Sequence, residues 1–371
     1  MKTTDRRQWL KTVGLSSSFL LMGGELEALA MPTPKVVTFK DNLARLNYNE
    51  NPYGPSSKVR AAITDAFDVA CRYPDKALSE LVLLLAKKEG VTKDHIVITG
   101  GSTEGLHATG LTYGLGRGEI IAADPTFQAL MRYAEHFGAH IHRVPLDANM
   151  THDLEAMERR ITGKTSLIYI CNPNNPTGTI IEKNKLLDFC TSVDRSAVIF
   201  SDEAYYDFIA EADYPSMVEL VKKGHNVIVS KTFSKAFGMA GMRIGYMIAR
   251  PDISKRLKAN IMANTNMLAI KAAKTALQDD EFYKFSLLKN LEGKKRIYST
   301  LDDLSLEYVK SHTNFVFFKS GKPIKELQQS MLAENVMIGR PFPPFEKWAR
   351  VSTGKLEDVD RFGIALKKVL S

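Results

Sequence analysis

The sequence predicts an α/β fold: a mostly parallel central sheet sandwiched by helices, with a smaller α+β C-terminal domain. Three observations carry that expectation. Short β-rich apolar runs recur along the chain, helical patterns separate several of them, and polar or glycine clusters fall at the carboxyl ends of the runs. A chain of 371 residues, 44% apolar and 25% charged, suits one large domain plus a smaller one and buries a sizeable core.

The first thirty residues read differently from the rest. "DRRQWLKTVGLSSSFLLMGG" (5–24) places Arg6 and Arg7 ahead of an apolar stretch, and "ALA" (28–30) supplies small residues at alternate positions. This pattern is similar to a twin-arginine signal peptide, cut after Ala30, which implies the translocation machinery of that route as a partner and a periplasmic destination. The apolar part, Val13 to Leu21, is far shorter than the roughly 20 residues of a membrane span, so no membrane anchor is expected. The competing reading is a basic amphipathic N-terminal helix on a cytoplasmic protein. Removing residues 1–30 takes away Lys2, Arg6, Arg7 and Lys11 against Asp5, Glu25 and Glu27, so the remainder stays basic.

Along the rest of the chain the elements alternate. "HIVITG" (95–100), "EIIAAD" (119–124), "SLIYICN" (166–172), "AVIFSD" (197–202), "NVIVS" (226–230) and "RIGYMIA" (243–249) are apolar enough for strands buried on both faces. "TFQALMRYAEHFG" (126–138) and "EKNKLLDFCTSVD" (182–194) carry helical spacing between them. A long helical stretch from about 252 to 295 leads into a smaller unit with strands "TNFVFFKS" (313–320) and "WARVST" (348–353) and a closing helix from Glu357. The division expected is a signal peptide (1–30), an arm of the small domain (31–60), a large domain (61–290) and a small C-terminal domain (291–371).

Charge and cysteine content exclude some functions. The net charge is +8, but basic and acidic residues are interspersed and no basic stripe with interleaved aromatics appears, so no nucleic-acid role is expected. Cys71, Cys171 and Cys190 form no metal spacing and are odd in number, so neither a metal site nor a disulfide framework is expected.

Ligands of open α/β sheets bind beyond the carboxyl ends of strands, and that is where the clusters lie. "HIVITG" is followed by Gly101-Ser102-Thr103-Glu104, "SLIYIC" by "NPNNPTG" (172–178), "AVIFS" by Asp202-Glu203-Ala204-Tyr205, and "NVIVS" opens "SKTFSKAFGMAGMRIGY" (230–246). Each alone is ordinary turn chemistry.

In this order and at these separations, "NPNNPTG", "SDEAYYDF" and "SKTFSKAFGMAGMRIGY" resemble the pyridoxal-phosphate-dependent aminotransferases of fold type I (class I/II), nearest the histidinol-phosphate aminotransferase-like branch. The resemblance begins at "LNYNENPYGPS" (46–56), passes through "RYPD" (72–75) and ends at "ARVSTG" (349–354). It implies a transaminase with pyridoxal 5'-phosphate as cofactor, moving an amino group between an amino donor and a 2-oxo acid through a Schiff base at Lys235. Lys231 is not expected to be catalytic. Asp202 matches the partner of the ring nitrogen, and a buried carboxylate there favours the protonated, electron-withdrawing ring. Asn175 and Tyr205 match the residues that hydrogen-bond the phenolic oxygen, whereas Glu203 and Tyr206 belong to support or packing. The phosphate is expected among the backbone N–H groups of Ser102 and Thr103, the hydroxyls of Thr232 and Ser234, and Arg243. Phe127 matches the aromatic that stacks on the ring.

The resemblance assigns Arg350 to the substrate α-carboxylate, Arg340 to its side chain and Tyr53 to the same pocket. Tyr73 matches a tyrosine that reaches the neighbouring subunit's cofactor phosphate, which implies a homodimer with composite active sites. Two alternatives stay open: histidinol-phosphate aminotransferase proper, or a lyase or decarboxylase on the same scaffold. Arg350 favours transamination by aligning the α-carboxylate. A silent cofactor-binding or regulatory protein is disfavoured, because the motif positions are filled and no DNA-binding module is fused. Export conflicts with histidine synthesis, which is cytoplasmic.

Overall fold

Residues 42–371 are described by a computed structural model, so the signal peptide expected over 1–30, its cleavage site and the start of the arm lie outside the described residues. Strand β1 (Ala44–Leu46) opens the described chain. The central sheet follows with β2 (Ile96–Thr99), β3 (Glu119–Asp124), β4 (His140–Pro145), β5 (Thr165–Cys171), β6 (Val198–Asp202), β7 (Val227–Thr232) and β8 (Gly245–Ala249). Their order is β2-β8-β7-β6-β5-β3-β4, and only β8 runs against its neighbours. All six runs expected as strands of this sheet are strands, and the sheet is mostly parallel as expected.

Strand β4, "HIHRVP", is an addition to the expected set. Only Ile141 and Val144 of it are buried, and it lies at the sheet edge, where His, Arg and Pro discourage pairing with another chain. A half-polar edge strand has no apolar run to find.

Alternating residues feed two cores. Ile121, Ile168, Ile170, Ile199, Val227 and Val229 join the helices Asp75–Glu89, Lys183–Val193 and Met267–Ala276 on one face. Ile120, Leu167, Tyr169, Phe200 and Ile228 join the helices Ser102–Gly114, Ala129–His136 and Pro251–Lys258 on the other. A sheet covered on both faces explains why its strands read as continuous apolar runs.

A separate core gathers Ala44 and Leu46 of β1 with Ile297, Leu301, Val316, Phe318, Val351 and Phe362. Here β9 (Phe315–Lys319) pairs antiparallel with β11 (Trp348–Ser352), and β1 pairs parallel with β10 (Val336–Ile338) in the register Ala44↔Val336 and Leu46↔Ile338. The expected helical stretch from 252 to 295 is broken twice. The Asn266 side chain accepts the N–H groups of Leu268 and Ala269, and Asp279 accepts that of Phe282; each side chain caps a new helix. The last of these, Asp280–Asp303, contributes Tyr283 and Leu287 to the first core and Ile297 and Leu301 to the separate one.

Candidate active site

The reversed direction of β8 brings the clusters together. Residues that follow β2, β3, β5, β6 and β7 emerge at one edge of the sheet, and because β8 is antiparallel, residues that precede it emerge there too. A cavity of about 700 Å3 at this edge is lined by Ser102, Phe127, Asn175, Asp202, Lys235 and Arg243 among others, and by Arg340 and Arg350 from the separate core's side.

Lys235 reaches the cavity from just beyond β7. Its Nζ donates to the Asn49 carbonyl at 2.9 Å and lies 5.5 Å from the centre of the Tyr205 ring. Desolvation, with Arg350 second, pulls its pKa down from 10.5 to about 8, against the opposing charges of Glu50 and Asp202. The amine is therefore neutral in a useful fraction near physiological pH. Lys231, four residues earlier, is occupied elsewhere: it pairs with Glu89 at 3.0 Å and Glu203 at 3.7 Å, away from the cavity. Glu203 also accepts the Ser216 hydroxyl and the Met217 N–H, and the Tyr206 hydroxyl donates to Tyr214 O. Both residues support the fold, as expected.

Asp202 ends β6 and is buried. Burial raises its pKa, while the Tyr169 hydroxyl, donating to Oδ2 at 2.8 Å, and the Ala204 N–H, donating to Oδ1 at 3.2 Å, favour the carboxylate. Tyr169 is fully buried, with its ring stacked on Phe200 at 5.7 Å. Sequence reasoning read it only as part of a strand. Tyr169→Phe keeps that packing and removes the donor, so the Asp202 pKa should rise. The acid limb of the kcat–pH profile should then move to higher pH, by about one unit. An unmoved limb would exclude this tuning.

Asn175, Tyr205 and Arg350 form one buried array. Arg350 Nη1 donates to Asn175 Oδ1 at 2.6 Å and Nη2 to the Asn47 carbonyl at 2.9 Å, while its buried Nε has no hydrogen-bond partner among the described residues. The guanidinium lies over the rings of Phe315 and Phe342, and burial lowers its pKa to about 10, so it stays charged at neutral pH. A buried, charged guanidinium at the cavity wall suits an anionic substrate group.

At the far end, Gly101 (φ +84) precedes the helix that starts at Ser102, and a Cβ on it would collide with the Arg243 guanidinium. Gly245 is as confined: its Cβ would lie 3.0 Å from Ser102 N. The glycines thus let a guanidinium close on a helix N-terminus, whose free N–H groups favour an anion. Ser234 lines the cavity, whereas Thr232 stands behind it, its hydroxyl donating to Ser234 Oγ at 3.0 Å. An anion cradle, a wall aromatic in Phe127, a buried carboxylate and a low-pKa lysine in one cavity fit pyridoxal phosphate.

Like Thr232, which was expected at the phosphate, Tyr53 and Tyr73 lie outside the cavity. Tyr53 does not line this cavity, contrary to expectation: its hydroxyl accepts the Leu356 N–H at 3.1 Å at the start of the closing helix, and its ring packs edge-on against Phe285. Tyr73 is 86% exposed and outside its own chain's cavity. Arg340 lines the cavity but is exposed, with Nη1 on the Pro341 carbonyl. The structure adds Tyr48, Asn49, Gln328, Met337 and Ile338, for which only the segment "LNYNEN" carried any signal.

The sheet, the cavity and its lysine define a pyridoxal-phosphate-dependent enzyme of fold type I. The chain belongs to the class I and II aminotransferases, whose family model matches residues 41–365. It is 36% identical over 334 residues to histidinol-phosphate aminotransferase of Moorella thermoacetica, covering 89% of this chain and 86% of that protein. A crystal structure of a protein from Erwinia carotovora atroseptica matches with a TM-score of 0.85 at 31% identity, over 88% of this chain and 96% of the other. Histidinol-phosphate aminotransferase from Sinorhizobium meliloti, in complex with pyridoxal-5'-phosphate, matches with a TM-score of 0.81 at 25% identity, over 88% and 90%. The protein is a transaminase that uses pyridoxal phosphate.

Proposed function

We propose that Lys235, Asp202 and Arg350 carry transamination in this cavity, in an exported homodimer that takes α-amino acid donors. Their convergence on one cavity is the observation that supports the reading. Pyridoxal phosphate, when bound, supplies an aldehyde that condenses with amines and a ring that accepts electrons from the substrate Cα. Lys235 holds it through Nζ and moves the proton at the substrate Cα, which its lowered pKa permits. Asp202 holds the proton on the ring nitrogen. Tyr205 and Asn175 bond the phenolic oxygen, and Ser102, Thr103, Ser234 and Arg243 bind the phosphate. Arg350 orients the α-carboxylate so that the Cα–H bond is the one broken, which favours transamination over decarboxylation.

A test of the substrate side uses a donor panel that includes histidinol phosphate, the substrate class suggested by the relatives' name. Arg350→Ala should lower kcat/KM for every α-amino acid donor by about 2 to 5 kcal/mol of transition-state binding. Arg340→Ala should harm only donors with particular side chains. Equal, small effects from both would place the pocket elsewhere, and turnover of histidinol phosphate alone would favour the biosynthetic reading.

The domain division belongs to the same proposal: Ala44 and Leu46 pack with the C-terminal core, as an arm of the small domain would. The homodimer rests on Tyr73, whose exposed ring would complete a neighbour's phosphate site. Export rests on Arg6 and Arg7 and has a physical reason, since the twin-arginine route carries folded proteins and the cofactor is inserted in the cytoplasm. Fractionation with N-terminal sequencing should find a periplasmic protein starting at Met31. Changing Arg6 and Arg7 together to Lys should leave it uncut and active in the cytoplasm. A native protein found only in the cytoplasm with Met1 intact would refute export and restore histidine synthesis as the candidate pathway.

A further inference from the structure

Asn49 has no part in the roles set out above, yet more of the site's hydrogen bonds meet on it than on any lining residue described so far. It lies in the segment after β1, buried, with φ at +55, a left-handed backbone that Asn and Gly tolerate and most residues do not. Its backbone N–H donates to Ser352 Oγ at 2.8 Å, and Ser352 gives its only proton back to Asn49 Oδ1 at 2.9 Å. Its carbonyl accepts Lys235 Nζ at 2.9 Å and Asn314 Nδ2 at 3.0 Å. That leaves Nδ2, which donates to the Tyr205 hydroxyl oxygen at 2.9 Å.

The consequence is a matter of counting protons. A phenol has one proton and two acceptor positions. Asn175 occupies one acceptor position of Tyr205: its Oδ1 is committed to Arg350, a group that only donates, so its Nδ2 is the end that faces Tyr205, at 3.4 Å. Asn49 occupies the other. With both acceptor positions filled by amide donors, the Tyr205 proton has one direction left, into the cavity that its ring lines. A carboxylate or carbonyl in place of the Asn49 amide would draw that proton away from the cavity.

We propose that Asn49 is a positioning residue that aims the Tyr205 proton at the cofactor while its carbonyl holds the Lys235 amine. The Ser352 hydroxyl sets which end of the Asn49 amide faces Tyr205. The left-handed backbone is what turns the carbonyl to Lys235 and the side chain to Tyr205 from one residue. Because Ser352 and Asn314 belong to the segments around β11 and β9, and Tyr205 and Lys235 to the ends of β6 and β7, Asn49 also ties the two sides of the cavity together. The inference rests on the role given above to Tyr205.

The test is a double-mutant cycle read on the holoenzyme by the pH at which the bound cofactor changes its visible absorbance, alongside kcat and KM. Asn49→Gly keeps the positive φ and the carbonyl that Lys235 uses, and removes only the amide. It should raise the spectral midpoint by about one pH unit and lower kcat about tenfold, and in the Tyr205→Phe background it should do neither. Should Asn49→Gly fail to fold, Ser352→Ala asks the same question by releasing the amide: its shift has the same sign and also vanishes in the Tyr205→Phe background. An equal shift with and without the Tyr205 hydroxyl, or no shift when Tyr205 is intact, overturns the role of Asn49 alone. If Tyr205→Phe itself leaves the midpoint unmoved, the assignment of Tyr205 to the cofactor falls and takes this inference with it.

Discussion

Lys235→Ala is expected to abolish covalent cofactor attachment and to lower turnover by roughly four orders of magnitude or more, because one amine serves as both anchor and proton carrier. Borohydride reduction of the wild-type holoenzyme should fix the cofactor on Lys235, and Lys231→Ala should leave that adduct in place. Lys231 is already committed to Glu89 and Glu203 in the interior, so its loss should appear as lowered stability. An adduct on Lys231 would reverse the assignment. The pH dependence follows from the same environment. A lysine is nucleophilic only when neutral, and burial with the Arg350 charge brings that change to about pH 8. Cofactor attachment to the apoprotein should therefore speed up as pH rises through about 8, well below the 10.5 of a free lysine. Arg350→Gln removes a charge that lowers the pKa, so the midpoint should move up.

Asp202 carries the second large effect. Asp202→Asn keeps an acceptor for the Tyr169 hydroxyl but removes the charge from the buried site, and kcat should fall by about two to four orders of magnitude. Asp202→Ala should lose comparable activity and also stability, about 1 to 3 kcal/mol, because the buried Tyr169 hydroxyl loses the carboxylate it donates to. Comparing the two by thermal unfolding and by stopped-flow turnover separates charge from structure. Wild-type turnover in Asp202→Asn would end the proposed role of the carboxylate.

Legibility in the sequence followed the locality of the signal. Asp202, Asn175, Lys235 and Arg243 were readable because each stands in a short motif beside a strand, and strand ends are where an open sheet places its ligands. The fold class was readable for a related reason: a strand buried on both faces must be apolar throughout, and six such runs are hard to fold another way. Strand β4 escaped because an edge strand is only half buried and carries His and Arg.

Other features had no local mark. The broken helix from 252 to 295 depended on Asn266 and Asp279, whose capping role is visible only once the next turn is formed. Tyr53 stood in a motif but faces the closing helix, since the path of the chain after β1 carries it past the cavity. Tyr169 looked like any core residue until β5 and β6 paired and set its hydroxyl against Asp202.

By itself, then, the sequence determined the family, the sheet and many of the residues that gather at the cavity, because periodicity and short motifs are properties of neighbouring positions. Tertiary structure alone decided that Arg243, which precedes its strand, meets Gly101, which follows one, since that depends on β8 running antiparallel between β2 and β7. It also decided that Asn49 meets Tyr205, Lys235 and Ser352. Those contacts join positions up to 303 residues apart, and a hydrogen bond across such a separation leaves no pattern along the chain: only packing brings its two ends within reach.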